Sequence, residues 1–332
     1  MDIADLLALS VSSGASDLHL SAGVAPMLRV DGEMQQCGLP VFGPDQVRGL
    51  IHSLMTDAQR SAFETGHEAD FSCALAGLGR FRVNAFEQQR GAGAVLRSIA
   101  QRVPSLESLG PGEVFRQLCR LPHGLILVTG ATGSGKSTTL AAMIDHLNRS
   151  RQQHILTIED PIEFIHQPAR CLINQREVHR DTHSFSAALR SALREDPDVI
   201  MLGEMRDLET IRLALTAAET GHLVLATLHT SSAARTIDRM VDVFPAEEKA
   251  MVRSMLSESL QAVISQTLVK KVGGGRVAAH EIMLATPAIR NLIRENKVAQ
   301  MVSAIQTGGA VGMQTMEMSL GRLSEARVIE TL

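Results

Sequence analysis

Apolar positions change texture along this chain. Up to about residue 98 they come in short stretches. Ile3, Leu6, Leu7 and Leu9 recur at helical spacing, and Asp17-Leu18-His19-Leu20 and Met27-Leu28-Arg29-Val30 alternate as half-buried strands do. Asp31-Gly32 then reads as a hairpin turn. Arg80-Phe81-Arg82-Val83-Asn84-Ala85 alternates again, with its arginines opposite the apolar face. The glycines of Arg90-Gly91-Ala92-Gly93 turn the chain into Val95-Leu96-Arg97. This pattern predicts a small α+β domain over 1–98. Residues 99–112, with Pro104 and Gly110-Pro111-Gly112, read as a linker.

From 113 to 332 the texture is that of a parallel α/β sheet, with strands expected at 125–129, 154–158, 199–202 and 223–228. Between the last two lies a helix that Asp207 can cap. Ile211, Leu215 and Ala218 follow one side of it, and Gly221 ends it. The C-terminal third reads as helical. Apolar residues recur four apart from Glu247 to Lys271 (Met251, Met255, Ser259, Val263, beside Val252, Leu256, Leu260, Ile264), until Gly273-Gly274-Gly275 stops the run.

Composition narrows the picture. At 332 residues the chain can hold two ordinary cores, and 45% hydrophobic with 20% charged residues describes a globular protein. A net charge of −4 offers no global attraction to nucleic acid. Trp and Tyr are absent, which removes the stacking platforms that single-strand binders use. Cys37, Cys73, Cys119 and Cys171 are scattered singly, which predicts free thiols in a reducing compartment and no structural zinc. No apolar run approaches a membrane span, and Met1-Asp2-Ile3-Ala4-Asp5 lacks the basic flank of a signal peptide. The expectation is a cytoplasmic protein.

The chemistry concentrates in the second region. Gly130-Ala131-Thr132-Gly133-Ser134-Gly135-Lys136-Ser137 follows an apolar strand and opens a helix at Thr138, the setting of a phosphate-binding P-loop. Gly130, Thr132, Gly133, Ser134, Gly135 and Thr138 would wrap the phosphates of ATP with backbone N–H groups. Lys136 would reach the β- and γ-phosphates, and the Ser137 hydroxyl would hold Mg²⁺. Past the next strand, Thr157-Ile158-Glu159-Asp160-Pro161-Ile162-Glu163-Phe164 gathers carboxylates where open α/β sheets bind ligands, although a solvated acidic loop has the same spacing. Val199-Ile200-Met201-Leu202-Gly203-Glu204 ends a strand in a carboxylate that can align water or touch Mg²⁺ through water. His222 and His229 bracket the following strand. A lone His is usually structural, but His229 stands at the strand's carboxyl end, where it could sense the γ-phosphate.

Together these motifs resemble the secretion ATPase superfamily, and within it the type IV pilus retraction ATPases that drive twitching motility. The resemblance spans essentially the whole chain. It includes Gly14-Ala15-Ser16-Asp17-Leu18-His19-Leu20, Arg80–Phe86 and Ala288-Ile289-Arg290-Asn291-Leu292-Ile293-Arg294-Glu295. By pattern alone the last is a packing helix capped by Thr286, with Pro287 in its first turn and Ile289, Leu292 and Ile293 on its apolar side. In retraction ATPases it marks a helix that retraction needs. The missing Cys-x-x-Cys insertion also favours that branch.

The resemblance implies a homohexamer of subunits with a PAS-like N-terminal domain and a RecA-like P-loop NTPase domain. Hydrolysis would change the angle between the domains and act on an inner-membrane platform protein at the membrane's cytoplasmic face. Glu204 would be the catalytic carboxylate and Glu163 would assist at the metal or water. His222 and His229 would couple phosphate state to the subunit interface. Arg82 and Arg97 would reach the nucleotide, although arginines on strand faces are commonly just solvated. An accessory nucleotide-binding ring, working beside a paralogous motor with little turnover of its own, carries similar motifs. A nucleic-acid translocase is opposed by the charge and the missing aromatics.

Overall fold

The structure, a computed structural model, describes residues 1–99, 103–110 and 112–330. It divides into two compact units, Met1–Arg102 and Val103–Leu332. Ala100, Gln101, Arg102 and Pro111 of the expected linker lie outside the described residues. Leu106, also in that stretch, is buried in the core of the second unit, on a short 3-10 turn at Leu106–Leu109.

The first unit runs α1 (Ile3–Ser12), β1 (Asp17–Ser21), β2 (Met27–Val30), β3 (Glu33–Gln36), α2 (Pro44–His52), α3 (Asp57–Gly66), β4 (Glu68–Leu75), β5 (Gly79–Gln88) and β6 (Gly91–Ile99). Its six strands form an antiparallel sheet in the order β3-β2-β1-β6-β5-β4. Alternation does the sorting. Leu18, Leu20, Phe81, Val83 and Leu96 face a core completed by Leu6 and Leu7 of α1 and by Val47 and Ile51 of α2. The other face carries Asp17, Arg82 and Arg97. The hairpin expected at Asp31-Gly32 joins β2 to β3, whereas α2 and α3 were not expected. They are short, and their apolar faces show only once the sheet gives them something to cover.

The second unit runs α4 (Gly112–Cys119), β7 (Gly124–Thr129), α5 (Lys136–Ser150), β8 (His154–Glu159), β9 (Leu172–Glu177), α6 (Phe185–Ala192), β10 (Val199–Leu202) and α7 (Leu208–Glu219). It continues with β11 (Leu223–Leu228), α8 (Ala233–Asp242), α9 (Lys249–Ser259), β12 (Leu260–Lys270), β13 (Arg276–Leu284), α10 (Pro287–Arg294), α11 (Met301–Thr307) and α12 (Met316–Glu325). Seven strands lie in the order β13-β12-β7-β11-β10-β8-β9, all parallel except the β13 edge. With helices on both faces, the central strands are buried throughout and read as continuous apolar runs. This is the RecA-like α/β core.

The helix expected from Glu247 to Lys271 ends at Ser259, and the remainder is strand β12. The reason is burial on both faces. Between β7 and β13, residues Ala262 to Ser265 are all buried, so no period-two pattern survives to separate strand from helix. The three glycines turn β12 into β13, a strand that a helical C-terminal third leaves no room for. Two shorter helices fit expectation. Asp207 caps α7 by accepting from the Thr210 N–H, and Thr286 caps α10, which buries Ile289 and Ile293.

Ile126 is fully buried at the centre of β7. Ile126→Ala is expected to destabilise the second unit by about 2 to 5 kcal/mol, the usual cost of such a cavity. Chemical denaturation reads this as a lower midpoint, and an unchanged midpoint would remove β7 from the stability-determining core.

Candidate nucleotide site

The loop from Gly130 to Ser137 leaves the carboxyl end of β7 and ends in α5. Gly130 has φ +146° and Gly135 φ +88°. A Cβ on Gly130 would lie 2.3 Å from the Gln266 carbonyl oxygen, so no other residue fits there. Ala131, Thr132 and Gly133 face solvent, Ser137 and Thr138 are half-buried, and Ser134 and Lys136 are buried. No side chain caps α5, so its first N–H groups are left for a ligand.

Lys136 spends all three ammonium protons locally. Nζ donates to the carbonyls of Gly130 and Ala131, each at 3.0 Å, and approaches Nδ1 of His229 at 3.4 Å. Burial pulls the Lys136 pKa down, while the charges of Glu204 and Glu163 push it back up. On its other side, Nε2 of His229 meets Oε1 of Glu204 at 2.9 Å. One tautomer satisfies both contacts, with Nε2 carrying the proton and Nδ1 accepting.

Glu204 follows Gly203 at the end of β10, and Nε of Arg206 lies 2.6 Å from the same Oε1. Burial works to raise the Glu204 pKa, but hydrogen bonds from Arg206 and His229 outweigh it and hold the carboxylate below its ordinary range. Lys136, His229, Glu204 and Arg206 therefore form one chain along the carboxyl ends of β7, β10 and β11.

Glu163 sits half-buried on the loop after β8. That loop is clamped from β9. Gln175 donates to the Phe164 carbonyl (2.8 Å) and accepts from the His166 N–H (2.8 Å), while Glu177 accepts from the Ile162 N–H (3.0 Å). Beneath it lies Glu159, which receives Thr157 Oγ1 at 2.6 Å, Gln175 Nε2 at 3.1 Å and the Glu163 N–H. The acidic stretch is thus a built loop whose backbone is held on both sides. Gln175, Glu177, Arg206 and Gln266 are residues that sequence reasoning did not single out. The missed strands β9 and β12 concealed three of them, and Arg206 stood in plain view two residues past Glu204.

Two groups of candidates lie elsewhere. His222 is at the amino end of β11, a full strand length from His229, and its Nδ1 contacts the Ala217 carbonyl at 3.0 Å, at the end of α7. Arg82 and Arg97 belong to the first unit, directly paired across β5 and β6. Arg82 makes two bonds to Asp70, at 2.6 and 3.0 Å, and Arg97 meets Asp17 at 2.8 Å. Burial works against the Asp17 charge, but Ser16 and Arg97 hold its carboxyl below the ordinary range. Among the described residues, no three His, Cys, Asp or Glu side chains gather into a metal cage.

Burial raises the Glu159 carboxyl from its ordinary 4.5 to about 7. The folded protein then keeps a proton that the unfolded chain has released, so this group costs stability as pH rises from 4.5 towards 7. Glu159→Gln is expected to lose less stability than the parent between those limits. Urea midpoints measured at both ends check it, and parallel slopes would disprove a neutral Glu159.

The Type II/IV secretion system protein family matches residues 3–275. A type IV pilus retraction ATPase, PilT, of Pseudomonas aeruginosa is 70% identical over 96% of this chain and 93% of its own length. A twitching motility protein of Neisseria gonorrhoeae is 60% identical over 90% of this chain and 80% of its own. A crystal structure of the pilus retraction motor PilT with bound ADP superposes with a TM-score of 0.90 at 48% identity, covering 100% of this chain and 95% of that one. With the phosphate loop, the carboxylate chain and the RecA-like sheet in place, this protein belongs to the type II/IV secretion system protein family.

Proposed function

We propose that this protein is an ATP-hydrolysing motor that powers retraction of type IV pili. The observation that carries the reading is the chain from Lys136 through His229 to Glu204, which joins the phosphate loop to the carboxylate best placed to act on water. The named activities of the relatives, pilus retraction and twitching motility, supply the biological setting.

In this reading the loop N–H groups from Thr132 to Thr138 and the start of α5 hold the triphosphate. Lys136 exchanges its carbonyl partners for β- and γ-phosphate oxygens. Ser137 would hold Mg²⁺, with Glu204 reaching it through water, and the cation would supply positive charge beside those oxygens. Glu204, kept ionised by Arg206 and His229, accepts a proton from the attacking water. Glu163, on its clamped loop, orients that water. His229, bonded at once to Lys136 and Glu204, registers loss of the γ-phosphate.

Arg82 and Arg97 offset the charge that builds on the transferring phosphoryl, leaving their aspartates to do so. His222 lies a strand length from His229, and its part in this reading is at a contact between subunits. Six such subunits form a ring whose first and second units change angle with each turnover. The ring pulls on a platform protein at the cytoplasmic face of the inner membrane. Among the described residues no helix is long and apolar enough to cross a membrane, which suits a motor that docks. The complete set of Lys136, Glu163, Glu204 and His229 favours turnover over a purely accessory role.

Steady-state ATPase assays on the purified protein, alongside a measured mass, test this. Glu204→Gln is expected to lower kcat by about 10² to 10⁴, the range for loss of a general base, while ATP binding persists. DNA should leave the rate unchanged. Turnover unaffected in Glu204→Gln would overturn the catalytic assignment. Tight ATP binding by a six-subunit ring without turnover would instead indicate an accessory ring.

A further inference from the structure

Strand β12 forms the wall behind the phosphate loop, and one side chain of that wall is engaged with the loop at both ends of its amide. Gln266 is 3% exposed. Its Nε2 donates to the Ser134 carbonyl at 2.6 Å, and its Oε1 accepts from Thr139 Oγ1 at 2.8 Å. A single amide therefore joins the middle of the loop to the start of α5. The Gln266 backbone is equally close. Its carbonyl oxygen is the atom that a Cβ on Gly130 would strike, and a Cβ on Gly135 would come 3.1 Å from its Nε2. One residue earlier, the hydroxyls of Ser265 and Thr129 share a buried hydrogen bond of 2.7 Å, fixing β12 to the last residue of β7.

We propose that Gln266 is a positioning residue for the nucleotide, holding the 130–137 loop in its phosphate-receiving shape before the ligand arrives. This rests on the reading that the loop takes the phosphates of ATP. The physical need is plain. Gly130, Gly133 and Gly135 give the loop far more conformations than the one whose N–H groups converge, and ordering it only on binding would lower affinity. A competent form that is only fractionally populated weakens apparent binding by that fraction. Gln266 removes freedom at the middle of the loop and at the start of α5 together, because the Ser134 carbonyl cannot turn inward while it accepts from Nε2. It also fixes which end of its own amide faces the loop, since Thr139 supplies a donor to the oxygen.

The amide touches the back of the loop and none of the reacting atoms, so its loss falls on nucleotide affinity more than on turnover.

The test uses the full chain and measures the ADP dissociation constant, with KM and kcat for ATP, in the parent and in Gln266→Leu, Gln266→Glu and Thr139→Val. Gln266→Leu is expected to raise the ADP dissociation constant and the ATP KM about tenfold, the effect of losing two buried hydrogen bonds of modest net strength, with a smaller fall in kcat. Gln266→Glu loses the donor to Ser134 while keeping an acceptor for Thr139, and should resemble Gln266→Leu. Thr139→Val should shift both constants less, and should add nothing when combined with Gln266→Leu.

Melting curves establish which variants fold, and Gln266→Glu and Thr139→Val carry the test if Gln266→Leu does not. Folded variants with parental ADP affinity, or with a fall in kcat at unchanged KM, would overturn the proposal. A parent protein that binds no ADP would overturn the nucleotide reading itself, a separate and recognisable result.

Discussion

An ammonium withdrawn from water must spend its protons on acceptors, and the architecture of the second unit follows from how Lys136 does so. Two of its partners are loop carbonyls, which exist in the right place only because Gly130 bends the backbone past Gln266. The third is a histidine that stands at the end of β11 and is itself tied to Glu204. None of the three is a bond to a carboxylate, so Lys136 is held without a direct ion pair. A lysine left bare in that position would meet burial, which pulls its pKa down, with no acceptor to offset it. One tied to a carboxylate directly would have to break an ion pair before it could bind phosphate. The intervening histidine avoids both.

The parallel sheet is what brings these groups together. Strands β7, β8, β10 and β11 all end on one edge, so the loop, the acidic stretch, Glu204 and His229 arrive side by side although they are far apart in the chain. The flanking strands do the holding. From one side Gln175 and Glu177 of β9 grip the acidic loop, and from the other Gln266 of β12 grips the phosphate loop. Glu159 shows the cost of that tightness. It is buried with another carboxylate close by, and burial raises its carboxyl to about 7 although three neutral donors favour its charged form.

In the first unit the constraint is charge of one sign on adjacent strands. Arg82 and Arg97 face each other directly, an arrangement that repels. Asp70 of β4 and Asp17 of β1 flank the pair and neutralise it. Both arginines remain partly exposed, so these ion pairs are modest in strength and readily traded.

By itself the sequence determined what depends on neighbours along the chain. The loop from Gly130 to Ser137, the caps at Asp207 and Thr286, the hairpin at Asp31-Gly32 and the apolar strands β7, β8, β10 and β11 were all legible, because glycine freedom, side-chain capping and burial are local. Glu163, Glu204 and His229 could be named as candidates because they follow strand ends. Tertiary structure alone decided the rest. Strand β12 was unreadable because burial on both faces erases periodicity, and β9 because an edge strand of mixed polarity resembles a loop. With those strands went Gln266, Gln175 and Glu177, whose roles exist only through contacts with residues far away in sequence. The separation of His222 from His229 by a full strand length was likewise hidden, since a motif records order along a chain and not which end of a sheet a side chain reaches.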